Sequence, residues 1–180
     1  MRFPGSQQRM QQLVDAHYAS LYRYAVRLSG SHPEAEDLTQ ETFCQAQMKL
    51  HQLRDDARTR AWLFSILRNA YLRRRRDDKH AHALPLDWVG DVPDRLTEPL
   101  PEIDAEQLQL ALSELAEEFR TPLILFYFED FSYRDIAEQM SVPIGTVMSR
   151  LARAKAHLRT RLLPGAPVLA ADQGRVNHGM

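Results

Sequence analysis

The residues of this sequence best suited to chemistry are Thr146, Ser149, Arg150, Arg153 and His157, which share one side of a single helical pattern. Guanidinium groups and hydroxyls of this kind bond base edges, and further cations meet phosphates. Such chemistry is recognition of nucleic acid rather than bond making. At about 100° per residue, Val147, Leu151, Ala154, Leu158 and Leu162 gather opposite them as a packing stripe. A basic stripe over an apolar one is also what an ordinary surface helix shows, but such a helix mixes signs through i,i+4 pairs. Here Arg150, Arg153, Lys155, Arg159 and Arg161 occur between Ser141 and Arg161 with no Asp or Glu. That bias points to an anionic partner.

The segment that positions these residues reads as a helix-turn-helix. Ser132 and Asp135 have capping-box spacing, which predicts a first helix from about Tyr133. Ser141 and Val142 make the turn, and Pro143 suits the first position of the second helix, where its missing donor costs nothing.

Two upstream segments carry further polar chemistry. In the helix beginning near Pro33, Ala35, Leu38, Thr42 and Ala46 form a narrow packing stripe, and Glu36, Asp37, Gln40, Glu41 and Cys44 lie on the far side. The helix dipole accounts for acids in a first turn, hence for Glu34, Glu36 and Asp37, but it accounts poorly for Glu41. An acidic, amide-bearing face suits a polar contact with a basic surface. In the segment from about Thr59 to Arg76, Leu63, Ile66, Leu67 and Ala70 form a buried stripe beside Trp62, Phe64, Tyr71 and several arginines. Aromatic faces for stacking, with cations tracking a backbone, are the means by which separated strands are held. Arg73 to Arg76 suit phosphate contact, because a charge run carries no base information.

The remaining signals bound the class. The 180 residues, 44% of them hydrophobic, allow one domain or two small ones. The net charge of -1 hides separated patches: Arg73 to Arg76 and Arg150 to Arg161 are basic, and Glu98 to Glu118 is acidic. Cys44 is the only cysteine, so no intrachain disulfide forms. With no apolar run of bilayer length and no signal-peptide core, a cytoplasmic location without membrane insertion is expected. Apolar periodicity is helical nearly throughout, with a first helix ending near Gly30 and a capping signature at Ser31 and Glu34. Pro85, Pro93, Pro99 and Pro101 mark a linker, and the residues after Leu163 read as a flexible tail. The expected architecture is all-α: two small helical domains, 10–80 and 103–163, with a flexible linker at 81–102 and a tail at 164–180. No P-loop, G-x-S-x-G, H-E-x-x-H or cysteine pair occurs, and His80 and His82 read as solvated. The expectation is a protein that is not an enzyme and has no metal, cofactor or small-molecule substrate.

FSYRDIAEQMSVPIGTVMSRLARAKAHLR closely resembles region 4 of bacterial sigma factors. PEAEDLTQETFCQAQ is similar to the region 2 helix of the small extracytoplasmic-function (ECF) group, and LRDDARTRAWLFSILRNAYLRRRR resembles that group's promoter-melting segment. The resemblance implies a transcription initiation factor that directs core RNA polymerase to promoters with −10-type and −35-type elements and assists melting. It implies that Asp37, Gln40 and Glu41 dock on the polymerase β′ clamp, with the β flap as a further contact, and that the chain is nucleoid-associated when bound to polymerase. It places Arg54, Arg58, Arg60, Trp62, Arg68, Asn69, Arg73 and Arg74 at the downstream element, where the Asn69 amide suits the Watson-Crick edge of an unstacked base. Thr146, Ser149, Arg150, Arg153 and His157 fall at the upstream element, and an anti-sigma factor is an expected partner. The chain departs from the family pattern at Ala116, where proline is common, at Ile144, where a polar residue is frequent, and at Met148, where a cation is frequent.

Two other classes stay open at this point. A one-component helix-turn-helix regulator would bind a two-fold operator as a dimer and give the Asp37 to Glu41 face no role. A helical adaptor would bind protein alone and make the basic stripe incidental.

Overall fold

A computed structural model describes residues 4–53, 55–77 and 104–163, the side chains of the first two and of Asp77 excepted. The expected linker, the tail, Arg54, His80 and His82 lie outside the described residues. Among the described residues the regular elements are helical: α1 (Pro4–Ser29), α2 (His32–Lys49), α3 (Thr59–Asp77), α4 (Ala105–Glu114), α5 (Glu117–Tyr127), α6 (Tyr133–Met140) and α7 (Ile144–Leu162). Short 3-10 turns, Leu50–Gln52 and Asp56–Arg58, join α2 to α3.

Local chemistry sets the boundaries. Gly30 ends α1 at φ +73°, a left-handed conformation that a side chain would strain. The Ser31 hydroxyl then accepts from the Glu34 amide and starts α2. Ser132 and Asp135 complete a reciprocal capping box at α6. Ser141, at φ 54°, closes α6, and the Val142 amide donates back to the Ala137 carbonyl at 3.1 Å, which forms the turn. Pro143 stands one position earlier than expected: it is the extended N-cap of α7, because its φ of -61° is paired with a ψ of 149°. The apolar spacing from Leu108 to Phe119 is divided between α4 and α5, with Ala116 as an N-cap that offers no side-chain acceptor.

The expected packing stripes are buried at Ala35, Leu38, Thr42 and Ala46 on α2, Leu63, Ile66, Leu67 and Ala70 on α3, and Val147, Leu151 and Ala154 on α7, whereas Leu158 and Leu162 at the end of α7 are half-buried. One buried cluster runs through both halves of the chain. Phe64 of α3 sits 4.9 Å from the Tyr24 ring of α1 and 5.1 Å from Phe131, which precedes α6. Arg120 of α5, only 5% exposed, spans the same junction. Its guanidinium donates to the Leu115 carbonyl at 2.7 Å and to the Leu28 carbonyl at 2.6 Å, and it reaches the Tyr71 hydroxyl at 3.4 Å. A buried arginine bonded to carbonyls keeps its donors satisfied, although burial lowers its pKa.

Candidate nucleic-acid and polymerase interface

On α2, Asp37 and Gln40 are exposed. Glu41 is not free in the same way. It accepts from Arg73 at 2.7 Å and from Arg74 at 2.9 Å, and Gln45 donates to it at 2.8 Å. Partial burial pushes its pKa up, but the hydrogen bonds from Arg74 and Arg73 outweigh that and hold it below the ordinary carboxylate range. Arg74 also approaches Asp37 at 4.0 Å. Residues assigned separately to polymerase and to the melted strand therefore form one cluster across α2 and α3. Cys44 is exposed on the same helix.

The other described arginines assigned to the melted strand, Arg58, Arg60 and Arg68, each meet a carboxylate from the second half of the chain. Arg58 bonds Glu138 at 2.8 Å, Arg60 bonds Glu129 at 3.1 Å, and Arg68 bonds Glu117 at 2.8 Å. Arg60 also lies 4.7 Å from the Phe131 ring centroid, so its packing and its charge face the same neighbour. Glu129 is 1% exposed. Burial raises its pKa, and Arg60 and Arg27 offset this only in part. Trp62 is partly buried beside a cleft of about 510 Å³ that it lines with Leu53, Asp55, Arg58, Asp135 and Gln139. Asn69 is exposed on the outer side of α3, whereas Tyr71, a second candidate for stacking, is core at 1% exposure.

On α7, Ser149 is exposed and Thr146 and Arg153 are half-buried. Arg150 turns toward α5 and bonds Glu118 at 2.8 Å. His157 turns toward α4, 3.3 Å from Glu114, which Arg161 also grips at 2.7 Å. Hydrogen bonding from Arg161 and the nearby His157 keep the Glu114 pKa low against slight burial. The five residues grouped on one side by periodicity are thus divided: the outermost face water, and Arg150 and His157 lean on acids of α4 and α5. Sequence reasoning missed those acids as partners, although the acidic run that includes Glu114 and Glu118 was visible. Arg120 was missed too, and a lone charge in the apolar run Phe119 to Phe128 was its signal.

Among the described residues no helix is long and apolar enough to cross a membrane. Residues 13–81 match the family description "Sigma-70 region 2" and residues 105–158 match "Sigma-70, region 4". The chain is 35% identical over 156 residues to the ECF RNA polymerase sigma factor SigL of Mycobacterium tuberculosis, covering 85% of this chain and 88% of that protein. It is 38% identical over 160 residues to the ECF RNA polymerase sigma factor SigE of Mycolicibacterium smegmatis, covering 84% and 60%. Among solved structures it resembles the sigma factor RpoE of Bartonella quintana, crystallised with the anti-sigma factor NepR, with a TM-score of 0.65, 30% identity and coverage of 87% and 95%. The acid-free second helix of a helix-turn-helix and an acidic α2 face, on a chain matching both regions in order, make this protein a member of the ECF RNA polymerase sigma factors, which serve transcription initiation.

Proposed function

We propose that region 2 of this chain docks on the β′ clamp of core RNA polymerase through Asp37 and Gln40, with Glu41 contributing while it orients Arg73 and Arg74. In this reading the downstream element is captured as a melted strand by Arg54, Arg58, Arg60, Trp62, Arg68, Asn69, Arg73 and Arg74. Thr146, Ser149, Arg150, Arg153 and His157 grip the upstream duplex. The boundaries remain 10–80 for region 2, 81–102 for the linker, 103–163 for region 4 and 164–180 for the tail. The chain performs no chemistry; binding free energy spent on the open strand shifts the melting equilibrium, and the polymerase makes the RNA. It works in the cytoplasm, reaching the nucleoid with polymerase, where the β flap is a second contact. An anti-sigma factor is a partner of this chain as NepR is of the RpoE relative.

The observation that carries the reading is similarity through both regions of full-length ECF relatives, over 85% of the chain. A one-component dimeric regulator is not favoured, because it leaves region 2 without a task. The packing adds a condition. Arg58, Arg60 and Arg68 can meet phosphates only when Glu138, Glu129 and Glu117 release them. Those glutamates belong to the other region, so their release requires that the two regions part. Reconstituted transcription with core polymerase on a promoter library tests the whole. Specific starts that require the chain are expected, and a folded chain that starts RNA on no template overturns the reading. Asp37→Arg should abolish co-purification with core enzyme, and unchanged co-purification removes the clamp assignment.

A further inference from the structure

The N-terminal turns of the recognition helix carry methyl groups where a polar residue, at Ile144, and a cation, at Met148, are frequent in the family. Ile144 is 46% exposed and Met148 is 52% exposed, two of the six large hydrophobic side chains left open among the described residues. They stand four residues apart, so they are neighbours on one face of α7. Ser149 and Gly145 are exposed beside them, and a Cβ added at Gly145 would meet nothing within 4 Å. The Ser149 hydroxyl donates inward to the Thr146 carbonyl at 3.0 Å. The side chains that could have read bases from the other flank, Arg150 and His157, lean instead toward Glu118 and Glu114. What projects from the first turns is therefore apolar, on a helix whose residues 141–163 contain five Lys or Arg and no acid.

That pairing of charge and surface selects one occupant. An anion must approach the helix, and it must offer an apolar group to its tip. In the major groove of duplex DNA the C5-methyl of thymine is the apolar group among the base edges, and the N-terminal residues of a recognition helix are those that reach them. We propose that Ile144 and Met148 are specificity-determining residues that read thymine methyl groups in the upstream promoter element, with Gly145 leaving room for close approach. This rests on the region 4 reading above and gives it a base preference.

The test uses the full-length chain with core polymerase, on a promoter obtained from the library selection. Each thymine of its upstream element is replaced in turn by deoxyuridine, which deletes one methyl and no hydrogen-bonding group. Initiation at limiting polymerase should fall roughly fourfold at one or two positions, the factor equivalent to about 0.8 kcal/mol per buried carbon. Met148→Ala and Ile144→Ala should lower initiation on the natural element by a similar factor and lose their response to deoxyuridine at the matching position. Both side chains are exposed, so a circular-dichroism melt should show each variant folded. If scrambling the upstream element abolishes initiation while every deoxyuridine template behaves as its parent, the methyl reading is overturned and region 4 recognition stands. The methyl reading is overturned equally if both alanine variants stay as sensitive to deoxyuridine as the parent chain. It also falls if they weaken co-purification with polymerase without altering the template response, since the face then seats protein. If scrambling the upstream element changes nothing, region 4 recognition falls and takes this inference with it.

Discussion

On α3 and the turn before it, the described arginines assigned to the melted strand already hold carboxylates; in the first turns of α7, Ile144, Met148 and Ser149 face water. Arg58, Arg60 and Arg68 have glutamate partners at 2.8 to 3.1 Å, all from the other region of the chain. Arg153 makes no ion pair among the described residues, and Ile144, Met148 and Ser149 are open. A guanidinium binds a carboxylate by the same charge-assisted bonds that it offers a phosphate. In the proposed reading, strand capture by Arg58, Arg60 and Arg68 displaces an internal ligand, whereas duplex contact through Ser149 and Arg153 displaces only solvent, and Arg150 and His157 must first leave Glu118 and Glu114. In that reading the open residues of the upstream face are available in the packed chain, and Arg58, Arg60 and Arg68 become available when the regions part, whereas Arg73 and Arg74 stay on Glu41 within region 2.

The largest expected effect tests whether the packed arrangement is one cooperative unit. Phe64 is fully buried and touches Tyr24 on one side and Phe131 on the other. Phe64→Ala should cost about 3 to 5 kcal/mol and lower a single thermal transition, read by circular dichroism or calorimetry. A second, unshifted transition would mean that the regions melt independently, and the internal ligand would then be weakly held. Truncating Ile144 or Met148 should move the same melt little, within about 0.5 kcal/mol, because neither packs inside.

Next in size is the loss of a base or phosphate contact on the open face. Arg153→Ala should reduce promoter-specific initiation by the equivalent of about 1 to 3 kcal/mol. Arg150→Ala should also reduce it, and since its partner Glu118 is 50% exposed, losing the pair should cost less than about 1 kcal/mol of stability. Normal initiation by both variants would place the reading face elsewhere.

The covered face is tested by unpairing it. Glu117→Gln with Glu138→Gln removes two of the internal charges while keeping the shapes. Arg68 and Glu117 are 14% and 24% exposed, whereas Arg58 and Glu138 are 65% and 59% exposed, so the first pair should dominate. A fluorescent single strand carrying the downstream element should bind the double variant up to about tenfold more tightly in anisotropy titrations, equivalent to roughly 1.4 kcal/mol. Unchanged or weaker binding would mean that these carboxylates do not compete with the strand.

The helices and their inner faces were legible because each rests on local spacing: Ala35, Leu38 and Thr42 on α2, Leu63 and Leu67 on α3, Ser132 with Asp135 at a cap. The outward residues were legible only as types. Periodicity placed Arg150 and His157 opposite the core of α7, but a long side chain bends to the nearest acid, and Glu118 and Glu114 come from other helices. Glu41 was noticed as unexplained by its own helix, and its explanation stands 32 residues away in Arg73. Contacts between regions leave no periodic mark, so the Phe64 junction could not be derived from one segment, and the lone charge of Arg120 in its apolar run gave no sign of its Leu28 and Tyr71 partners. Ile144 and Met148 were visible as departures from the family pattern, yet only their exposure shows that they point outward rather than pack.

The smallest effect separates two carboxylates by the sign of their response to pH. Glu41 of region 2 is held below the ordinary value of about 4.5, because the hydrogen bonds from Arg74 and Arg73 exceed the opposing effect of burial. Its contribution to stability is complete above that value and is lost as pH falls through the lower folded value. Glu129, at the junction with region 4, is held above about 4.5, chiefly by burial. The unfolded chain surrenders that proton first, so the contribution is complete below about 4.5 and is lost as pH rises through the higher folded value. Melting curves of the parent and of Glu41→Gln should therefore lie furthest apart at neutral pH and converge in acid. For Glu129→Gln the difference should shift in the parent's favour as pH falls from neutrality toward 4.5. If the two differences run parallel with pH, the carboxylates are equivalent, and the distinction between a cluster built within region 2 and a covered junction between regions loses its electrostatic basis.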